Sequence, residues 1–272
     1  MTQLEHHGQP ADAIETAMTG LTVAAPPTMR PAVLVETGLA DRFATIDSAL
    51  GPLFVAWNGR GVSMVDVAED GDAFVARHDA LTGRPAYPAD ALPARLAAAI
   101  VRRLDGDRRV RIDLDLRGHS RFEQDVWHKA VEIPRGEVRP YGWIAAEIGR
   151  PRAVRAVGTA LGHNPVPLIV PCHRVVRTDG TIGQYSLGGP HNKRVILAAE
   201  GLDPDAMEAA ARHGERLVGC ASTGIVCWPS CRTGRHMLAR NRRPFRSLAD
   251  AQSAGYRPCK VCRPVAVVAS AA

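Results

Sequence analysis

Cys172, His173 and Arg174 follow an apolar run, Pro165 to Val170, that Pro171 closes. A thiol attacks only as thiolate; apolar surroundings raise its pKa, and a neighbouring imidazole or cation lowers it. A lone buried cysteine is most often a small apolar side chain. The basic pair beside this one turns the reading toward a nucleophile with its base. Adjacent side chains in a strand point to opposite faces. The pair can therefore cooperate only if the chain turns at Cys172 or a water bridges them. A third group should orient the imidazole.

A second set of thiols lies further on, Cys227-x3-Cys231-x27-Cys259-x2-Cys262. Two short-spaced pairs far apart in sequence are what one tetrahedral ion needs, and all-sulfur ligation favours zinc. A zinc clip can simply stabilise a unit too small to hold its own core. Cys220 is left over and reads as a small core residue.

These groups must be positioned by a chain of 272 residues with 46% apolar and 23% charged side chains, ordinary globular proportions. No stretch reaches the ~20 apolar residues of a membrane helix, and no basic segment followed by an apolar run opens the chain. A cytoplasmic protein without a membrane partner is expected. The net charge of +6 is unevenly spread: residues 213–264 hold ten Arg or Lys against two acids. Such a one-signed segment suits a polyanion.

Residues 1–30 read as a loose tail with a short helix near Ala11–Met18. Phe43–Ser48, Leu53–Trp57 and Gly61–Val67 are short strands punctuated by hairpin signals at Gly51-Pro52 and Asn58-Gly59-Arg60-Gly61. Ala91–Leu104 has helical spacing with Asp90 as its cap, and Val110–Leu116 alternates as a further strand. Ser120 and Glu123 form a capping box for a helix to Val131. Two short helices, Gly142–Ile148 and Pro151–Leu161, are separated by Gly149-Arg150, with Pro151 at the first helical position of the second. That is a helix-turn-helix signal. The second helix is rich in Ala, Gly and Val and lacks the side chains that read base edges, so it suits close approach to a backbone or narrow groove, or simple core packing. Residues 202–212 form a helix or linker.

Residues 120–201 resemble the catalytic domain of the 6-O-methylguanine-DNA methyltransferases. The matching stretches are RFEQDVWHKAVEIPRGEVRPYGWIA, then IGRPRAVRAVGTALGHNPVPLIVPCHRVV, then AAEG, with PCHRV the most specific. The resemblance implies a suicidal DNA repair enzyme that moves an alkyl group from guanine in double-stranded DNA onto Cys172 and needs no organic cofactor. It assigns His173 as proton relay through water, Glu200 as its orienting partner and Tyr141 as donor to the guanine oxygen. Asn164 would hold the turn that presents the site. Arg155 would fill the gap left by a flipped nucleotide, with Ala156, Gly158 and Arg174 also at the DNA. Val175, Tyr185 and Ser186 would wall the guanine pocket. Tyr185-Ser186-Leu187-Gly188-Gly189 is one residue longer than the family's Tyr-x-Gly-Gly.

STGIVCWPSCR and AGYRPCKVCRP resemble the zinc domain of the bacterial adaptive-response protein, which repairs methyl phosphotriesters. By that resemblance Cys227 is both zinc ligand and second methyl acceptor, and Arg235 contacts phosphate. Here the unit follows the alkyltransferase segment, reversing the order, and Gly234 is an extra residue before Arg235. A structural or DNA-binding zinc arm and a methyl-sensing regulator are the alternatives; a Cys-His hydrolase is the rival for Cys172. The expected fold is α+β: a tail (1–30), an RNase H-like N-terminal subdomain (31–117), a winged helix-turn-helix-like catalytic domain (118–202), a linker (203–212), a small four-cysteine zinc domain (213–265) and a tail (266–272), in a monomer.

Overall fold

The computed structural model describes residues 29–266, so the expected helix near Ala11–Met18 and most of both tails lie outside the described residues. The fold is mixed α+β. Helix α1 (Met29–Glu36) begins inside the segment read as tail. It leads into β1 (Asp41–Ser48), β2 (Gly51–Asn58) and β3 (Gly61–Asp66), an antiparallel meander close to the three strands read from the sequence. Helix α2 (Gly71–Thr82) then returns the chain so that β4 (Ala86–Pro88) pairs parallel with β1, giving the order β3-β2-β1-β4.

The sequence reading missed α2. Asp70 caps it by accepting from the Ala73 amide, yet among its residues only Phe74 and His78 are buried. Two anchors four residues apart make too narrow a stripe to show as amphipathic periodicity. Helix α3 (Ala94–Leu104) starts later than expected, and Pro93, not Asp90, sits at its N-cap. Proline drives the preceding residue out of the helical region.

Val110–Leu116 is not a strand. It meets β3 at one bridge, Val62 beside Leu114, with Val62 donating to Asp113 and Asp115 donating back to Val62. An ideal Cβ on Gly61 would lie 2.3 Å from the Asp113 carbonyl oxygen, so glycine, with φ of 138°, is what admits the crossing segment. Asp115 then turns inward to a buried cluster with Asn58, Arg84 and Arg117.

Helix α4 (Arg121–Val131) carries the expected capping box of Ser120 and Glu123. Strand β5 (Arg139–Pro140) runs straight into α5 (Tyr141–Glu147), and α6 (Val154–Gly162) packs against both α4 and α5. Pro151 is not the first helical residue. Ala153 donates to the Arg150 carbonyl, which places Pro151 second in a four-residue turn, a position its fixed φ favours. Trp127 donates from Nε1 to the Ala160 carbonyl at 2.8 Å, joining α4 to α6.

After the Cys172 turn, β6 (Val175–Val176) lies parallel to β5. Helices α7 (Gly189–Ala199) and α8 (Pro204–Arg212) follow. The last unit is a small sheet, β10-β8-β7-β9, made of β7 (Leu217–Cys220), β8 (Ile225–Cys227), β9 (Arg242–Phe245) and β10 (Arg257–Pro258). It holds the short helices α9 (Arg232–Arg235) and α10 (Leu248–Ser253). This unit is docked on the preceding one: Arg263 pairs with Glu147 at 2.7 Å, and both Arg263 and Arg139 place their guanidinium carbons 5.8 Å from the Trp143 ring. Among the described residues no helix is long and apolar enough to cross a membrane.

Candidate functional site

Residues Cys172–Arg174 form one turn of 3-10 helix between Pro171 and β6. The chain thus turns at Cys172, and the alternation that would have separated it from His173 does not apply. The turn rests on a folded loop. Asn164 accepts the Val166 amide through Oδ1 and donates from Nδ2 to the Val170 carbonyl at 3.0 Å and to the Cys172 sulfur at 3.1 Å. Leu168 within that loop has a φ of 73°, a left-handed conformation that costs a non-glycine residue about 1–3 kcal/mol and is held by its surroundings.

Cys172 is 5% exposed and lines a cavity of about 180 Å³ with Tyr141, Gly158, Leu161, Gly162, Gln184, Tyr185 and Ser186. Burial pushes its thiol pKa up; Asn164, the Ser186 hydroxyl 3.9 Å away and the Lys193 charge pull against that. Lys193 is fully buried. Its ammonium donates to the Val175 carbonyl at 2.6 Å and the Gln184 carbonyl at 3.2 Å, and burial brings its pKa down to about 8. Burial raises the Tyr141 pKa, so its phenol keeps its proton at neutral pH.

His173 is 1% exposed, and its Nε2 lies 3.0 Å from Glu200 Oε1. Burial opposes the Glu200 charge, but hydrogen bonds from His173 and Arg174 outweigh it and lower the carboxyl pKa to about 2. An ionised carboxylate only accepts, so the proton sits on Nε2 and Nδ1 is left as the basic nitrogen. Burial also lowers the His173 pKa, which keeps the ring neutral and able to take a proton. Tyr185 meets the ring edge-on, with centroids 6.1 Å apart.

Two expected roles fail on geometry. Arg174 is buried; it grips Glu200 through Nε and Nη2 and donates from Nη1 to the Ile133 carbonyl. It is a core brace and cannot reach DNA from there. Val175 is fully buried in β6 and is absent from the cavity wall, which Gly158, Leu161, Gly162 and Gln184 supply instead. Tyr185 and Ser186 do line it, and the extra residue Leu187 is absorbed inward at 2% exposure. Arg155 and Ala156 are exposed on α6. A larger cleft, about 760 Å³ between Arg60, Arg103, Arg111 and His128, touches none of these residues.

The Cys227, Cys231, Cys259 and Cys262 sulfurs all lie within 4.8 Å of one another and are buried. A tetrahedral zinc centre of four thiolates spaces its sulfurs by about 3.8 Å, so the set fits zinc. Cys220 lies outside it, half-exposed beside Ser222, and is not the core residue expected. Gly234, the extra residue, lets α9 close: a Cβ there would sit 2.8 Å from the Trp228 carbonyl oxygen. Arg235 is exposed, with Nη1 3.0 Å from where a Gly136 Cβ would stand. Cys227 itself has no solvent exposure, and Ser230 in the loop that follows it presses on Val138. Cys227 is thus closed to solvent, and Cys259, at 5%, is the most exposed of the four.

Residues 121–202 match the family described as 6-O-methylguanine DNA methyltransferase, DNA binding domain, and residues 206–265 match the metal binding domain of Ada. A methylated-DNA–protein-cysteine methyltransferase of Mycobacterium tuberculosis is 39% identical over 161 residues, 58% of this chain and 91% of the relative. The bifunctional transcriptional activator/DNA repair enzyme Ada of Escherichia coli is 36% identical over 152 residues, 55% of this chain and 43% of the relative. Among solved structures, M. tuberculosis OGT in complex with DNA matches with a TM-score of 0.47 and 34% identity, covering 59% of this chain and 93% of that one.

Proposed function

Since the chain belongs to the methylated-DNA–protein-cysteine methyltransferase family and carries an Ada-like zinc-binding domain, we propose that Cys172 takes the alkyl group from 6-O-alkylguanine in double-stranded DNA. The observation that carries this is one cavity lined by both the Cys172 sulfur and Tyr141, with His173 held by Glu200 next in sequence.

The target carbon is hidden in a duplex, so the base must be swung out, at a cost of a few kcal/mol. Arg155 on α6 fills the gap, and Ala156 and Gly158 allow the helix close to the backbone. Asn164 and Lys193 stabilise the thiolate, whose proton passes through solvent to His173 Nδ1. The sulfur attacks the saturated carbon in line; the S–C bond forms as the C–O bond breaks. Tyr141 donates to the departing guanine oxygen and is reprotonated by the proton held at His173. The thioether is not turned over, so each molecule acts once.

We also read the division into an RNase H-like N-terminal subdomain (31–117), a winged helix-turn-helix catalytic domain (118–202) and a zinc domain (213–265), in a monomer acting in the cytoplasm. Zinc would hold its four cysteine ligands as thiolates through its own +2 charge, and the centre would carry a net charge of −2. The zinc unit serves as a structural arm that brings basic side chains, Arg235 among them, toward DNA; the burial of Cys227 favours this over phosphotriester repair.

Peptide mass mapping after incubation with DNA holding a methylated guanine and a methyl phosphotriester tests both readings. One added CH2 on the Cys172 peptide, and none on the Cys227 peptide, is the expected outcome. A Cys172→Ala variant that still cleared the lesion would refute the assignment.

A further inference from the structure

The chain around Cys231 is bonded to the segment that leads through β5 into Tyr141. Ser230 accepts the Val138 amide at 2.9 Å and its hydroxyl donates back to the Val138 carbonyl at 3.2 Å. One side chain thus pairs with both backbone groups of Val138, as a neighbouring strand would. Two residues on, the Arg232 amide donates to Glu137 Oε1 at 3.0 Å, while Glu137 Oε2 pairs with Arg139. Glu137 and Arg139 are 4% and 3% exposed. Both bridging residues flank Cys231, so the contact is fixed by a zinc ligand.

What these contacts hold is short. Strand β5 is only Arg139 and Pro140, paired with Val175 and Val176 directly after the Cys172 turn. Tyr141 follows Pro140 without a linker. Two residues of parallel pairing cannot fix a strand alone, because pairs of so few residues are marginal. The segment leading into β5 is held further by the Gly136 amide, which donates to Glu200 Oε2 at 3.0 Å, and by the zinc loop.

We propose that Ser230 and Glu137 are positioning residues for alkyl transfer: the docked zinc loop sets the place of Tyr141 against Cys172. The two family units of this chain then work as one active site, and loosening the dock misplaces the proton donor without touching the sulfur. The inference rests on the reading of Tyr141 as the donor. Small misplacements of a reacting group are costly, and a loss of roughly tenfold in the transfer step is expected.

The test uses the full-length, zinc-loaded protein in single-turnover transfer from methylated DNA. Ser230→Ala removes the reciprocal pair. Arg232→Pro removes the amide donor at a position that suits proline: Arg232 is the first residue of α9, and Cys231 before it has φ −57° and ψ 140°, which proline accepts. Zinc content and melting temperature establish that each variant is folded. The expected result is a roughly tenfold slower transfer step at saturating DNA, with DNA affinity unchanged in Ser230→Ala. Faster amide exchange in the peptide spanning 137–143 should accompany it. In a Tyr141→Phe background Ser230→Ala should have no further effect.

Should Tyr141→Phe slow transfer while both docking variants run at the parental rate, the positioning role is wrong and the donor reading survives. The positioning role is equally wrong if Ser230→Ala slows transfer to the same extent in both backgrounds. Should Tyr141→Phe itself leave the rate unchanged, the donor reading falls and the inference falls with it.

Discussion

Asn164 donates a hydrogen bond to the sulfur of Cys172 across 3.1 Å, from the same amide nitrogen that holds the Val170 carbonyl. One buried side chain thus does two jobs: it ties the loop that ends in Pro171, and it gives the thiolate a donor in surroundings that otherwise disfavour charge. Asn164→Ala leaves the Val166 amide without its partner and the Val170 carbonyl with the Cys172 amide alone. A loss of about 3 kcal/mol in unfolding free energy is expected in denaturant titration, together with slower transfer. A variant as stable as the parent would show that the loop is held by packing alone.

Lys193→Met removes the buried cation near Cys172. The cation favours thiolate, so without it the thiol pKa rises and the transfer rate should climb at higher pH than in the parent. Lys193→Arg keeps a charge and should displace the profile less. The pH dependence of single-turnover rates on the folded fraction decides this, and superimposable profiles for Lys193→Met and parent would remove Lys193 from the account.

Glu200 supplies a pH-dependent share of stability. Its folded pKa, about 2, is below the ordinary carboxylate value, so its contribution is present above about pH 4.5 and is lost as the pH falls toward 2. That share is on the order of 3 kcal/mol. Glu200→Gln should therefore be less stable than the parent at about pH 6, with the gap closing in acid. Unfolding curves at several pH values measure it; a gap that does not narrow would assign the role to packing. The zinc thiolates respond to acid equally in both proteins and cancel in the difference.

Zinc removal should unfold the last unit first. Its sheet strands are two to four residues long, and the cysteines are among its buried core. Units of this size rarely fold without a staple. One equivalent of zinc should leave on chelation, followed by reaction of four further thiols with a mild reagent and loss of protection around Ser230. Retention of the native exchange pattern after metal loss would contradict this.

What the sequence made legible is local. The capping box of Ser120 and Glu123, the hairpin at Asn58–Gly61 and the paired cysteines each lie within a few residues or carry a fixed spacing. The resemblance supplied Tyr141, Asn164 and Glu200, and the structure brings these to Cys172 and His173. Lys193 was not legible, because it belongs to an unremarkable stretch of α7 and reaches the thiol only through tertiary packing. Gln184, Leu161 and Gly162 share that fate as cavity wall. Arg174 and Val175 misled for the opposite reason: adjacency to the nucleophile suggested contact with substrate, but the 3-10 turn sends both into the core. The bond from Ser230 to Val138 spans 92 residues, and no spacing rule reaches so far.

The indole of Trp127, bonded to the Ala160 carbonyl, fixes how α6 is rolled on its support. A helix that cannot roll cannot re-aim its side chains from one stretch of duplex to the next. On the proposed reading, its outward stripe of Arg155, Ala156 and Thr159 meets every duplex sequence in the same way. That reading makes it a surface that patrols a genome without preference and leaves discrimination to whichever base comes loose.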